Sequence, residues 1–145
     1  MSESKATSSQ GHYINGKGQI VDMLKMMNPD EKKTLLKNIR LRNPSLALEL
    51  SEKSFLFKNI EHFSDESLQI LINYLQAPIL GLAIKTSTVK LQRRVLALAH
   101  REYAEEAFKV LQTPLQNEMN AINRAQDRVI STIMTLFRRG QMELS

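Results

Sequence analysis

The sequence contains no cysteine and no tryptophan, and it has only five glycines and four prolines in 145 residues. The lack of cysteine excludes disulfide bonds and thiol chemistry. No apolar run approaches the roughly 20 residues that a membrane-spanning helix requires, and the first residues lack the apolar core of a signal peptide. Apolar residues make up 42% of the chain and charged residues 24%, which is typical of a globular protein, and we expect it in the cytoplasm.

Residues that carry catalysis are almost missing. The three histidines, His12, His62 and His100, are far apart in sequence, and none has a second histidine or a paired acid at metal-ligand spacing. The stretch Gly16-Lys17-Gly18 lacks the strand and helix context of a phosphate-binding loop. We therefore expect no metal, no cofactor and no small-molecule substrate, and we expect that the protein is not an enzyme.

The net charge of +5 is concentrated in the second half of the chain, where residues 76–145 hold ten basic and six acidic side chains. A basic bias of this size raises the hypothesis of nucleic-acid binding. No aromatic residues interleave the basic ones to stack on bases, so ordinary exposed helix positions are the simpler interpretation, and we expect nucleic acid to be an improbable partner. The basic residues of this hypothesis are Lys85, Lys90, Arg93, Arg94 and Arg101.

The first half of the chain predicts a polar tail followed by three short helices. Residues 1–18 are rich in serine, glycine, glutamine and asparagine, and we expect a disordered tail with ordered structure from about residue 19. In residues 19–53, the pairs Asn28-Pro29 and Asn43-Pro44 each supply an N-cap and a proline suited to the first helical position. Three helices in about 35 residues predict an armadillo-like unit, which needs a neighbour to bury its faces.

The first of these helices is rich in methionine. Methionine more often fills gaps in a core than lines a groove for a ligand. The alternative interpretation is a docking face for a partner, formed by Met23, Met26 and Met27.

The segment 54–63 contains three phenylalanines and has no helical period, and we interpret it as a connector between two lobes. Ser64 then caps a new helix with two acids in its first turn, for which complementing the helix dipole is a simpler role than acid–base chemistry. At 100° per residue, the apolar and polar side chains of this helix separate onto two faces. The inner face holds Leu68, Leu71, Ile72 and Leu75; the outward face holds Glu66, Gln69, Ile70 and Asn73, with Asp65 at its edge.

The remaining residues predict further helices, so that 64–145 form a second, larger lobe. Pro78 and Thr88 open helices, and Pro114 ends one or lies just past its end. The longest helix is predicted at about Asn117–Arg139, with Gly140 as its C-terminal stop. The fold class is therefore all-α.

Three groups of residues resemble the C-terminal domain of the flagellar motor switch protein FliG. Their order and spacing are more specific than any one of them, and the likeness extends over about residues 19–144. The groups are Asn43-Pro44-x-Leu46-Ala47, Phe55-x-Phe57 and Asp65-x-Ser67-Leu68-Gln69.

This resemblance implies an armadillo-like three-helix unit followed by a six-helix lobe, of the right-handed superhelical type, joined by a hinge. The hinge corresponds to Ser54, Phe55 and Phe57, where the family has Met-Phe-x-Phe. In the family, a charged helix on the lobe faces the cytoplasmic loop of the stator protein MotA, and the domain has neither a cofactor nor an active site.

The chain departs from the family on that charged helix. The family usually begins it with Asp-Asp-Arg and adds a second Arg one turn later, and here these four positions are Ser64, Asp65, Glu66 and Ile70. A basic residue that the family keeps before its third helix is matched by Arg40. The predicted partner-binding residues are Asp65, Glu66, Gln69, Ile70, Asn73 and Arg40.

Two functions follow from these observations. The first is a protein-interaction module in, or derived from, the flagellar motor switch, with full-length FliG, a FliM-like switch protein or a MotA-like stator loop as partner. Such a module would reach the membrane only through its partners, at the cytoplasmic face of the flagellar basal body. The alternative is a helical adaptor reused for a nonflagellar partner, which the altered charges favour.

Overall fold

Helix starts in the first half of the chain are set by asparagine side chains. In the computed structural model, which describes residues 16–144, the Oδ1 atom of Asn28 accepts a hydrogen bond from the Asp30 N–H at 2.8 Å. The Oδ1 atom of Asn43 likewise accepts from the Leu46 N–H at 3.1 Å. Each bond satisfies one of the amides that a helix N-terminus leaves without a partner, and a proline follows each cap at the first helical position.

The described residues contain eight α-helices and one short 3-10 helix, and no strand, which confirms the all-α prediction. The predicted disordered tail lies mostly outside the described residues, but residues 16–18 already belong to the first helix. The helices are α1 Gly16–Met26, α2 Pro29–Arg42, α3 Pro44–Lys53, α4 Asp65–Tyr74, α5 Ala77–Ala83, α6 Val89–Leu98, α7 Arg101–Gln112 and α8 Glu118–Arg138, with the 3-10 helix Phe57–His62 between α3 and α4.

Helix boundaries in the second half also follow from local side chains. Ser64 Oγ accepts from the Ser67 N–H at 3.1 Å at the start of α4, and Thr88 Oγ1 accepts from the Leu91 N–H at 3.2 Å at the start of α6. Gly140 follows α8 with a φ of +72°, a left-handed conformation that glycine adopts without strain. The predicted start of α6 at Thr88 and the predicted stop of α8 at Gly140 are therefore confirmed.

The chain divides into two compact units, the first ending at Phe55 and the second beginning at Leu56. In the first unit, α1 and α2 both contact α3, around a small core of three buried residues. No residue of α2 is buried; its apolar side chains are half-buried and pack against that core. The core residues are Val21, Leu24 and Leu50, with Leu35, Leu36 and Ile39 of α2 packed on them.

The second unit is built around α5, which packs against α7 and α8. Gly81 lets α5 approach α7 closely, because a Cβ atom at this position would lie 2.9 Å from the backbone oxygen of Ala107. Helix α4 packs against α6 and α8. Fully buried residues of this core include Ile60, Leu68, Leu71, Leu80, Ile84, Leu91, Val129 and Ile133.

The segment interpreted from its sequence as a connector without helical period is partly helical. Leu56 precedes the 3-10 helix, and its N–H donates to Asn59 Oδ1 at 2.7 Å. Ile60 is fully buried within the helix, and Phe63 at its end is buried as well. The second unit therefore holds five α-helices and this 3-10 helix, where the resemblance implied six helices. The armadillo-like and superhelical details stay predictions.

Candidate protein-interaction surface

The inner face of α4 fixes the direction of its outward face. Ser67, Leu68, Leu71 and Ile72 are all buried, as the helical spacing predicted for the three apolar residues. Because these four side chains are packed into the core, the rotation of α4 about its axis is fixed. The polar residues that alternate with them in sequence therefore lie on the opposite, outward side of the helix.

Three of the predicted partner-binding residues lie together on the outward face. Glu66, Gln69 and Asn73 are exposed and are spaced by three and four residues, so they form one row along α4. Among the described residues, no hydrogen bond or ion pair engages the side chain of any of the three. This row is therefore at the surface, with no side-chain partner among residues 16–144.

Ile70 differs from the expectation for the outward face. The helical wheel placed it among the exposed residues, but the structure shows it half-buried. Tyr74, which the sequence reasoning missed, is 54% exposed one turn further along. Its spacing of four residues from Ile70 is the signal that would have placed it beside the outward face.

Asp65 is held by an ion pair within the second unit. Its Oδ1 atom lies 2.9 Å from an Nη atom of Arg94 on α6. The Asp65 side chain is 65% exposed and that of Arg94 is 26% exposed, so the pair sits at the surface with its cation partly covered. Asp65 therefore offers a partner a compensated carboxylate, whereas Glu66 beside it has no cation at ion-pair distance among residues 16–144.

Arg94 also binds the end of the 3-10 helix. It donates to the backbone oxygens of Phe63 at 2.7 Å and Glu61 at 3.3 Å. The Glu61 carboxylate in turn accepts from the N–H and the hydroxyl of Thr88, at 3.1 and 2.6 Å, at the N-terminus of α6. The start of α4 and the segment before it are thus bound to α6 at two points.

The predicted binding residues of the first unit lie on α1, on α2 and, for Met27, between the two helices. Arg40 is exposed on α2. Met23 and Met26 are 49% and 87% exposed, whereas Met27 is half-buried and packs against the core of the unit. Two of the three methionines of the predicted docking face are therefore exposed, and the docking face itself stays a prediction. Sequence reasoning missed two exposed leucines of the same unit, Leu41 and Leu48.

The predicted hinge residues differ in their surroundings. Ser54 ends α3 and is fully buried, and its backbone oxygen accepts a hydrogen bond from Lys32 Nζ at 3.1 Å. Burial lowers the pKa of Lys32 below its usual value. Phe55 is buried, and Phe57 is the half-buried first residue of the 3-10 helix. A hinge at these residues stays a prediction.

The basic residues proposed for nucleic-acid binding are not a single free surface. Lys85 forms an ion pair with Glu118 at 3.1 Å and donates to the Thr113 backbone oxygen, and Arg94 is occupied as described above. Arg101 pairs with a glutamate four residues along α7. The two that remain are exposed, Lys90 and Arg93. Three of the five are therefore engaged in ion pairs within the second unit.

Residues 16–144 contain no group of three or more histidines and acids placed to hold a metal ion, and no helix long and apolar enough to cross a membrane. An open groove of about 630 Å³ lies between the end of α4 and the start of α7. On its wall, Tyr103 donates its hydroxyl to the Leu75 backbone oxygen at 2.9 Å, and burial, with nearby Glu106, raises the pKa of Tyr103 to about 12. This tyrosine stays protonated near neutral pH and serves as a structural donor.

Comparison with known proteins identifies the class to which this helical fold belongs. The sequence profile of the family described as "FliG C-terminal domain" matches residues 37–144. The match covers most of the chain, including α3 and residues 56–144 of the second unit. The chain therefore belongs to the FliG C-terminal domain family, as the resemblance of its motifs predicted.

Particular relatives carry the name flagellar motor switch protein FliG. The protein from Borreliella burgdorferi is 20% identical over 142 residues, which covers 97% of this chain and 41% of the relative. That from Agrobacterium fabrum is 25% identical over 132 residues, covering 89% and 38%. The chain thus spans about two fifths of the length of these relatives.

Solved structures show the same fold. A crystal structure of a FliG fragment from H. pylori matches with a TM-score of 0.65 and 20% identity, covering 98% of this chain and 60% of the fragment. Full-length FliG from Aquifex aeolicus matches with a TM-score of 0.56 and 18% identity, covering 95% of this chain and 41% of that protein.

Proposed function

We propose that this chain is a non-enzymatic protein-interaction module of the bacterial flagellar motor switch, or derived from it, that binds a partner through the outward face of α4. The protein would then act in the cytoplasm, at the cytoplasmic face of the flagellar basal body. The partners proposed are full-length FliG, a FliM-like switch protein or a MotA-like stator loop.

The observation that carries this proposal is the row formed by Glu66, Gln69 and Asn73. These side chains project from a helix whose other side is anchored in the core, so they are presented in a fixed arrangement. The anchored helix fixes the spacing at which the three side chains emerge, so the ordering cost on binding is confined to the side chains themselves. Membership of the FliG C-terminal domain family supports placing this interaction in the flagellar motor.

The charges along α4 define the partner's chemistry. Arg94 already compensates Asp65, so Glu66 is the acid on this face that is available to a basic group of the partner. The resemblance places a basic residue at the Glu66 position in the family. A partner that fits this chain therefore presents a cation where the partner of other family members presents an acid.

Site-specific photo-cross-linking in the native cell tests this proposal. A photoreactive residue replaces Gln69 in the row, and a matched control replaces Ser131, which is exposed on α8. We expect the Gln69 probe, and not the Ser131 probe, to capture a switch or stator protein. Equal capture by both probes, or no protein captured from the row, contradicts a role of the α4 outward face.

The alternative, a helical adaptor for a nonflagellar partner, is favoured by Glu66 and the half-buried Ile70 at positions where the family carries basic residues. The same cross-linking experiment separates the two proposals, because a nonflagellar protein captured at Gln69 supports the adaptor. A genome without flagellar genes supports it independently.

The first unit supplies two further parts of the proposal. Met23 and Met26 are proposed to dock this unit on a partner, since both are exposed on α1. Ser54, Phe55 and Phe57 are proposed as the hinge residues, by resemblance to the family.

A further inference from the structure

One arginine of the second unit binds both the first turn of α4 and the segment that precedes it. The guanidinium of Arg94 lies 2.9 Å from the Asp65 carboxylate, 2.7 Å from the Phe63 backbone oxygen and 3.3 Å from that of Glu61. Arg94 follows these partners by 29 to 33 residues in sequence, so the contact forms only when the unit has folded.

The type of side chain matters for this contact. Arginine offers five N–H donors in a rigid planar fork, whereas lysine offers one ammonium group as a point charge. Three acceptors on two neighbouring elements match the fork of Arg94 better than they match an ammonium group. A charge-assisted hydrogen bond to each acceptor is stronger than a neutral one, and partial burial of Arg94 strengthens it further.

A second contact binds the same segment to the same helix. The Glu61 carboxylate accepts the Thr88 N–H, which α6 leaves free at its N-terminus, and also the Thr88 hydroxyl. The 3-10 helix and the residue after it are therefore bound to α6 in two ways. Their backbone oxygens accept from Arg94 of α6, and the Glu61 side chain accepts from Thr88 at the start of α6. We call residues 57–63 together with these contacts the clasp.

We propose that Arg94 is a positioning residue that couples the contact face of α4 to the clasp. Because a single guanidinium binds both, a partner cation that pairs with Glu66 and also attracts the neighbouring Asp65 carboxylate competes with Arg94 and weakens its hold on the segment 57–63. By reciprocity, loosening of the clasp raises the affinity of the α4 face for that partner by the same factor.

The proposal rests on the proposed function in naming α4 as the contact helix. The coupling itself is a property of the free chain, so it is measured without any partner. Failure of the coupling therefore leaves the proposed function standing, and failure of the proposed function leaves the coupling measurable.

Amide hydrogen exchange of the full chain tests the coupling. Two reporters lie inside the clasp: the Asn59 N–H, bonded to the Leu56 oxygen, and the Phe63 N–H, bonded to the Ile60 oxygen. The exchange rates of amides in the α8 core report global unfolding. Local loosening of the clasp is indicated when a variant raises the exchange rates of the clasp amides more than those of the α8 amides.

The variants are Arg94→Gln, Arg94→Lys, Asp65→Asn and, as matched control, Arg101→Gln. Arg101 is 89% exposed and pairs with Glu105 on α7, so its removal deletes an arginine–carboxylate pair elsewhere in the unit. We expect R94Q to accelerate clasp exchange about tenfold beyond any change in α8. We expect R94K to restore part of this loss, and R101Q to change nothing.

Asp65→Asn is the decisive variant, because Asp65 does not itself contact the two reporter amides. We expect D65N to accelerate clasp exchange about two- to fivefold, through the weakened placement of Arg94. Unchanged clasp exchange in D65N, or acceleration equal to that in α8, overturns the coupling. Should R94Q fail to fold, D65N against R101Q still decides the question.

Discussion

Glycine at position 81 shows how one missing side chain sets a distance between helices. A Cβ atom there would meet the backbone of Ala107 on α7, which cannot rotate away as a side chain can. The α5–α7 contact at the centre of the second unit therefore requires glycine, or a shift of one helix.

We expect Gly81→Ala to destabilise the protein by about 1–3 kcal/mol, because overpacking forces the backbone to move. The matched control is Gly18→Ala on α1, where the added Cβ meets nothing within 4 Å. Alanine favours a helix over glycine, so the control should be neutral or stabilising by up to about 1 kcal/mol. Urea unfolding of both variants makes the comparison, and equal midpoints would contradict the close packing at Gly81.

Tyr103 shows how burial, with the nearby Glu106 carboxylate, sets the pH dependence of stability. Its pKa in the folded protein is about 12, above the value of about 10 expected when unfolded. The folded state therefore favours the protonated phenol, and this contribution to stability is fully present below pH 10 and is lost as the pH rises toward 12.

We expect Tyr103→Phe to lower the free energy of unfolding at neutral pH by about 0.5–1.5 kcal/mol, because the bond to the Leu75 oxygen is removed. The variant should also lose less stability than the parent between pH 10 and 12. Denaturant unfolding across this range provides the measurement. A fall in stability as steep in the variant as in the parent would show that another group is responsible.

At the scale of elements, the helix boundaries were predictable because their causes are local. Each N-cap side chain accepts a hydrogen bond from an amide only two or three residues ahead, so a short sequence pattern contains both partners. These caps are Asn28, Asn43, Ser64 and Thr88. The 3-10 helix also has a local bond, from the Leu56 N–H to Asn59 Oδ1, but its short run shows no helical period and its order depends on burial of Ile60.

We expect Asn43→Ala to destabilise the first unit by about 1 kcal/mol, because α3 loses its N-cap hydrogen bond. Asn38→Ala is the control, since Asn38 is exposed inside α2, where alanine is the better helix former. Thermal unfolding followed by helical circular dichroism compares the two. A lower melting temperature for N38A than for N43A would contradict the capping role.

The candidate site was less predictable than the helices because part of it depends on tertiary contacts. The wheel of α4 correctly separated buried Leu68 and Leu71 from exposed Glu66 and Gln69. It could not show that Ile70 is half-buried, since that depends on packing around the helix. The pairing of Asp65 with Arg94 could not be predicted from sequence either, because the two residues are 29 positions apart and meet only in the folded unit.

At the scale of the whole molecule, the two units differ in how completely they bury their apolar residues. The second unit has a continuous core around α5, whereas no residue of α2 in the first unit is buried. Exposed Met23, Met26 and Leu41 add to the apolar surface of the first unit. This difference is consistent with a first unit that docks on a partner and a second that presents α4.

The motif order identified the family from sequence because fold and spacing are retained along the chain. The outward charges of α4 are not retained in the same way, since a surface residue changes without disturbing the core. Membership of the family therefore does not identify the partner. The sign of the charge at Glu66 is what indicates the charge expected on the partner's surface.

Charge reversal at that residue tests the central claim most directly. Tagged wild-type chain, Glu66→Arg and the control Asp127→Arg, which reverses an exposed acid on α8, are used to capture partners from native cells at equal protein levels. We predict that D127R captures the partner protein found by cross-linking at Gln69 as well as wild type does. We predict that E66R captures at least about fivefold less, as expected for losing one ion pair and adding a repulsion. Undiminished capture by E66R would contradict binding through the outward face of α4.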